Sequence, residues 1–281
     1  MSQSHDLQLH ITQLEEIRAI LNSMKNLAFM ESHKLSRYQS MQSQAVVNIE
    51  NAAMDFLDFY PNLPIGLDSA KHIYILVGSE RGFCGDFNES LIITIADKSH
   101  SGIIAIGSRL GNRLSSDNSQ PAIAVISGAN IAEEIPAVLN ELINKINSLE
   151  EMNSPIAVGQ AEIRLTVVYH GNISGCITLR QILPPFPLQQ QRKPSYGYPP
   201  LINLDAAEFY SDLVHHYLFA VLHEILYISL MAENHSRLQH LEGAVKHLDD
   251  ETVNLHRKIQ IYRQEEITEE IEVILLNSEN P

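Results

Sequence analysis

Helix-breaking residues are confined to the middle of this 281-residue sequence. Eleven of its 12 prolines lie between Pro61 and Pro200, and the last is the terminal Pro281; of 13 glycines, all but Gly243 lie between Gly66 and Gly197. Proline lacks a backbone donor and clashes with the preceding turn, and glycine costs a helix conformational entropy. The two flanks can therefore be long helices, and the centre cannot.

The first flank, about residues 6–59, carries apolar side chains at Leu7, Ile11, Leu14, Ile17, Leu21, Met24 and Ala28, then at Leu35, Tyr38, Ala45, Ile49, Ala52, Phe56 and Phe59. Steps of three and four dominate, the period of a helix face, and Pro61 and Pro64 end it. The second flank has a cleaner seam. Leu238, Leu241, Val245, Leu248, Thr252, Leu255, Ile259 and Tyr262 alternate steps of three and four without a break, the heptad of a left-handed coiled coil. A stripe of this kind more often packs on a globular core, but length argues otherwise. Roughly fifty and seventy residues give helices of about 80 and 105 Å, against a radius of gyration of about 19 Å for a compact chain of this size. The flanks are expected to project, and to pair with each other antiparallel because they leave one central domain in opposite chain directions.

Between them, short apolar runs at 73–77, 103–106, 122–126 and 163–169 read as buried strands, and 87–97, 108–114 and 131–149 as helices. A further run at 176–183 adds a strand before the proline-rich residues 184–187, and 189–200 reads as a loop. The expected fold is α/β: two long terminal helices forming an antiparallel coiled coil plus a central Rossmann-like α/β domain. The boundaries are 1–60 for the first shaft helix, 61–205 for the central domain and 206–281 for the second helix.

Composition narrows function. A net charge of −15 and a pI near 5.2 argue against nucleic acid, which needs a basic footprint. Two cysteines, Cys84 and Cys176, fit a reducing compartment. The N-terminus lacks the pattern of a secretory signal, and the most apolar run, 218–231, is interrupted by His223 and Glu224. A cytoplasmic protein, at most peripheral to a membrane, is expected. Motifs for chemistry are missing. No Gly-Lys pair permits a phosphate loop, no Gly-x-Gly-x-x-Gly follows a strand, and no Gly-x-Ser-x-Gly elbow occurs. No two of the 13 histidines are spaced four apart, and no Cys-x-x-Cys is present. Glu265, Glu266, Glu269, Glu270 and Glu272 read as a solvated face. No catalytic residue, cofactor site or metal site is expected.

The segment Gly78-Ser79-Glu80-Arg81-Gly82-Phe83-Cys84-Gly85-Asp86-Phe87-Asn88 follows the first strand and precedes a helix. Taken alone it is a strand-to-helix turn, with glycines for positive φ and Asp86 or Asn88 as N-cap. A reactive Cys84 at a helix N-terminus is the competing reading, and a buried inert cysteine is the commoner case. The same segment closely resembles the Asp-Arg-Gly-Leu-Cys-Gly-Gly-Leu-Asn signature of F-type ATP synthase gamma subunits. Arg81, Gly82, Cys84, Gly85 and Asn88 match it; Glu80, Phe83 and Phe87 are conservative replacements, and Asp86 stands where the family has glycine. Arg263, Gln264, Ile267, Thr268 and Glu270 match that family's Arg-Gln-x-x-Ile-Thr-x-Glu, and Ile11, Ile20, Met24, Leu27 and Ala28 follow its N-terminal pattern more loosely.

The resemblance implies a rotor shaft. The terminal helices would stand inside a hexameric ring of alternating alpha and beta subunits, and the α/β domain would sit below, against the epsilon subunit and the membrane c-ring. The protein would thus lie at the cytoplasmic face of the membrane and touch it only through the complex. Ring and shaft would turn together, coupling ion flow to ATP synthesis or hydrolysis. Met24 would lie in the upper shaft, and Arg263, Gln264 and Thr268 would contact loops of the ring. Family shafts carry more basic residues along this helix, whereas the matching region here reads Asn22, Ser23, Lys25, Asn26 and Glu31, which suggests a divergent or alternate, N-type ATPase-like paralogue. The alternative is a coiled-coil adaptor or scaffold with a non-catalytic α/β domain.

Overall fold

In a computed structural model of the chain, the described residues are 3–61, 63, 71–96, 98–116, 122–151, 163–171, 176–186 and 197–278. A helix α1 (Gln3–Leu57) opens the chain and a helix α5 (Ala206–Ser278) closes it. Between them run β1 (Lys71–Val77), α2 (Phe87–Ala96), β2 (Gly102–Ile106), α3 (Ser108–Ser116), β3 (Ala124–Ile126), α4 (Ile135–Glu151), β4 (Ile163–His170) and β5 (Ile177–Leu183). The chain divides into two compact units, Met1–Ala28 with Leu238–Pro281, and Phe29–Arg237, so each terminal helix contributes to both.

In the larger unit the sheet order is β3-β2-β1-β4-β5, parallel except for antiparallel β5. Successive side chains on a strand point to opposite faces, and both faces are covered here. Ile73, Ile75 and Val77 of β1 join Ile104, Ile106, Leu165 and Val167 in one core with Leu139, Val221 and Ile225. Tyr74 and Leu76, with Ile103, Ala105 and Val168, join Leu91, Ile95, Leu110 and Leu114 on the other face. This is why the strands read as unbroken apolar runs rather than alternations. All five expected strands and three expected central helices are present. The last of these helices begins late, at Ile135 after a 3-10 turn at Ala132–Glu134, where Pro136 sits in the first turn. Asp97 and most of the expected loop 189–200 lie outside the described residues.

α5 requires an amendment to the expectation of no span-like stretch. One 18-residue window of it has mean hydropathy 1.4, apolar enough by composition to cross a membrane, but 67% of that window is buried. The apolarity has a partner already: Val221, Leu222, Ile225, Leu226, Ile228 and Leu230 pack in the core that covers the sheet.

In the smaller unit the helices run antiparallel. Arg18 pairs with Asp249 and Lys25 with Glu242, while Gln8 accepts a bond from Arg263, so partners on α5 descend as α1 ascends. Ile11 and Leu14 cluster with Leu255 and Ile259, and Leu21 with Leu241 and Val245; Leu248 packs against both groups. Every position of the predicted α5 seam is buried or half-buried. The α1 seam differs from the reading above. Ile17 is 46% exposed and Arg18 takes the seam position beside Asp249. In the larger unit Val46 and Ala53 are buried, whereas Ala52 is exposed. The heptad positions 4, 7, 11, 14, 18, 21, 25 and 28 continue as 32, 35, 39, 42, 46, 49, 53 and 56. Choosing the most apolar residue in each turn drifts one place off that spacing wherever a polar residue occupies the seam.

Candidate functional site

The signature segment is the turn between β1 and α2, at the carboxyl ends of the parallel strands, where open α/β sheets place their binding sites. Here protein groups fill that end. The Glu80 carboxylate accepts bonds from Ser108 N (2.8 Å), Ser108 Oγ (2.7 Å) and Gly128 N (2.7 Å), tying together the turns that follow β1, β2 and β3. Burial opposes ionisation of Glu80, yet the bonds from Ser108 and Gly128 outweigh it and hold the carboxyl below its usual range. Gly107, with φ +107, passes so close to Ser79 that a Cβ would stand 2.7 Å from the Ser79 carbonyl oxygen. Arg81 Nε donates to Asn130 Oδ1 at 2.6 Å.

Asn88 does not cap α2 as the sequence suggested. Its Oδ1 accepts the Ser79 N–H at 2.9 Å and its Nδ2 donates to Ser79 Oγ at 2.9 Å, closing the segment on itself. Asp86 precedes the helix and accepts the Ser90 N–H through its backbone carbonyl. It is not in the left-handed region, so a non-glycine residue is accommodated there; that conformation falls to Phe83 (φ 64) and Gly85 (φ 61). Positive φ is uncommon for a bulky residue. It leaves Phe83 48% exposed while Cys84 turns inward, 5% exposed.

What holds the inward face is α5. Ser236 Oγ donates to the Cys84 carbonyl at 2.8 Å, and Arg237 Nε donates to the Gly82 carbonyl at 3.3 Å. Arg237 also bonds Asn234 Oδ1 at 2.7 Å, forms a buried ion pair with Glu233, and places Nη2 3.6 Å from Cys84 Sγ. Glu233 in turn accepts the Arg81 N–H at 3.5 Å. Burial pushes the Cys84 thiol up to about 11, Glu233 adds to the shift and Arg237 opposes it. A thiol protonated at neutral pH and enclosed in this way is no nucleophile. The reactive-cysteine reading is therefore set aside, and Cys84 serves as packing beneath the turn.

The structure thus brings Arg81, Gly82, Cys84, Gly85 and Asn88 into one hydrogen-bonded turn. Met24, half-buried beside Leu21 and Leu241, belongs to the other unit, as do Arg263, Gln264 and Thr268, all exposed on the last part of α5. Sequence reading missed Glu233, Ser236 and Arg237. The available signal was an acid–base pair four residues apart, in helix-stabilising order, beside an apolar run.

Next to the turn, His170 ends β4. Its ring stacks on Phe87 with centroids 3.8 Å apart, and Nε2 donates to the Phe87 carbonyl at 2.8 Å. Burial lowers its pKa, against the opposing effect of that bond; burial likewise lowers His72 and His223. A histidine depressed in the folded state contributes stability that is complete above its ordinary value of 6.5 and is lost as pH falls through the lowered one. The melting temperature is therefore expected to drop on acidification from pH 6.5. His170→Asn, which keeps a donor for the Phe87 oxygen but takes up no proton, should shallow that drop. Identical slopes in thermal melts across this range would remove His170 from the account.

The ATP synthase family model matches residues 3–277. The chain belongs to the ATP synthase gamma family. Relatives bearing the gamma-chain name include that of Clostridium beijerinckii, 26% identical over 217 residues (75% of this chain and 72% of that one). The Clostridium botulinum gamma chain is 25% identical over 235 residues, covering 80% and 79%. Among solved structures, the rotor of Euglena gracilis mitochondrial ATP synthase superposes with a TM-score of 0.63 at 12% identity, covering 94% of this chain and 98% of that one. The central stalk of the Tetrahymena thermophila enzyme gives 0.51 at 14% identity, covering 80% and 99%. These likenesses confirm the fold, long terminal helices around a mixed α/β domain, and family membership makes the chain a central-stalk gamma subunit.

Proposed function

We propose that this gamma subunit turns inside a hexamer of alternating alpha and beta subunits, with its α/β domain held by the epsilon subunit and the membrane c-ring at the cytoplasmic face. Residues 1–60 and 206–281 are its shaft and 61–205 its foot. The chain transmits torque and leaves ATP chemistry to the ring. The observation that carries this reading is the end of α5. Residues 263–275 are all exposed. After Tyr262 the heptad positions fall on Glu266 and Glu269, and the apolar stripe moves one residue round the helix to Ile267, Ile271 and Ile274, which are 56%, 51% and 66% exposed. The register that sets Gln8 beside Arg263 carries this stretch of α5 past the start of α1 at Gln3, and an apolar stripe presented there has the form of a shaft tip seated in a sleeve of other subunits. The acidic residues of this tip, Glu265, Glu266, Glu269, Glu270 and Glu272, and the scarcity of bases along α1 support a divergent copy of the kind found in alternate, N-type ATPases.

The deciding experiment is recovery of the tagged chain from its native cells, with mass spectrometry and an ATPase assay. Recovery with two large ATPase subunits in excess over the chain supports the shaft. A homo-oligomer without ATPase activity would replace it with an adaptor. Arg263→Ala with Gln264→Ala removes two exposed side chains whose loss leaves both buried seam clusters intact. It is expected to lower ions moved per ATP without changing the melting temperature. An unchanged ratio would show that ring contacts lie elsewhere.

A further inference from the structure

α5 is buried on nearly every side between Ala220 and Leu230, and one carboxylate sits in the middle of that stretch: Glu224, 7% exposed. A buried carboxylate is costly unless a cation and hydrogen bonds compensate it. The cation comes from β5, the antiparallel edge strand. Arg180 donates from Nη1 to Glu224 Oε2 at 2.8 Å and from Nη2 to Glu50 Oε1 of α1, also at 2.8 Å. Tyr169 of β4 and Tyr217 of α5 lie near the same guanidinium, whose charge acts on both hydroxyls. One side chain of the sheet thus holds both terminal helices at once, with both of its bonds in good geometry.

Apolar packing supplies most of the cohesion between these helices and the sheet, but it is non-directional. A seam repeating every seven residues is nearly satisfied again when a helix rolls or slips. A planar guanidinium forked between two carboxylates is satisfied in one arrangement only. Lys34 of α1 also pairs with Glu133, in the turn before α4 and not on a strand, and Glu133 is 56% exposed, so solvent screens that pair more than the one to Glu224. Glu224 is the buried member of the three, the Arg180 and Glu50 side chains being 26% and 34% exposed, and at the Glu224 position stability alone would be served as well by an apolar residue of equal volume. Retaining the ions makes sense where angular position matters.

We propose that Arg180 is the torque lock of this subunit: the Glu50–Arg180–Glu224 bridge fixes the angular position of both shaft helices on the sheet, so that twist applied to the helices reaches the foot without slack. The lock rests on the shaft reading above. It is a positioning role, since Arg180 touches no reacting group.

The chain provides its own handle for the test. Cys176, beside β5, is exposed and Cys84 is buried, so a bead attached through Cys176 loads the sheet while the ring drives the helices. The comparison is between holoenzymes with the wild-type chain and with the triple substitution Glu50→Gln, Arg180→Met, Glu224→Gln, which leaves no buried charge unpaired. Other reactive thiols in the complex are replaced. With ATP withheld, the thermal angular spread of the bead reports torsional stiffness, and the expected result is a spread about twofold broader in the variant, as two charge-assisted bonds are lost. Its melting temperature and unloaded ATPase rate should stay at wild-type values. Arg180→Lys, a point charge in place of a fork, should give an intermediate spread and serves alone if the triple variant does not fold. Equal spreads for variant and wild type overturn the lock and leave the shaft standing. A wild-type chain that hydrolyses ATP in its ring without turning the bead overturns the shaft, and the lock with it.

Discussion

Leu248→Pro is expected to abolish ATP-driven rotation while the sheet keeps its fold and the ring still assembles. Leu248 is the residue of α5 that touches both buried groups of the smaller unit, Ile11, Leu14, Leu255 and Ile259 on one side and Leu21, Leu241 and Val245 on the other. Proline there removes a helical hydrogen bond and clashes with the carbonyl four residues back, a cost of about 3 kcal/mol or more. The kink would also send the two groups out of line with α1, so the loss is not confined to one turn. The sheet and its two cores lie wholly in the other unit, and the far-UV signal of the strands should persist. A single-molecule rotation assay decides the matter: rotation at the wild-type rate would mean that torque does not pass through this helix.

The second large effect is expected at Arg237. Its side chain and that of Glu233 are 7% and 5% exposed, and together they hold the backbone of the signature turn at Gly82 and Arg81. Arg237→Met leaves a carboxylate buried without its cation, and breaking such a pair by removing one partner costs about 3–5 kcal/mol. The turn should loosen with it, so Cys84 should become accessible to alkylating reagents. Adding Glu233→Leu removes the orphaned charge and should restore most of the stability, but not the two bonds to the turn. Urea unfolding and the rate of Cys84 alkylation, measured on both variants, separate these contributions. If Arg237→Met unfolds at the wild-type urea concentration, the clasp is not what secures the turn.

Much of this architecture was legible from local pattern. The confinement of Pro and Gly marked both long helices, and β1, β2 and β4 announced themselves as continuous apolar runs because each is covered on both faces. The eight-residue seam from Leu238 to Tyr262 was legible for the same reason: every member obeys one period. What stayed hidden depended on residues far apart in the chain. Nothing local says that Arg237 will meet Gly82, or that Arg180 will reach Glu50 and Glu224. Ile17 misled because an isoleucine one place from the seam outweighs, in sequence, an arginine whose place beside Asp249 only the paired helices reveal. Asn88 misled because a polar residue at a helix start usually caps it, whereas here Ser79 lies close enough to claim its side chain.

Arg18 and Lys25, each set in the seam of α1 opposite an acid of α5, bear on which helix α1 pairs with. Both pairs are partly exposed, and such pairs add little to stability, about 0–1 kcal/mol each. Yet α1 leaves the ribosome well before α5: some 150 residues separate them, about 7–30 s at ordinary elongation rates. Throughout that interval α1 carries an apolar seam that α5 has not yet covered. In parallel register with itself α1 would set Arg18 against Arg18 and Lys25 against Lys25, a repulsion that its own α5 converts to attraction. By charge alone, the two bases disfavour a parallel self-pair of α1 and favour its pairing with α5.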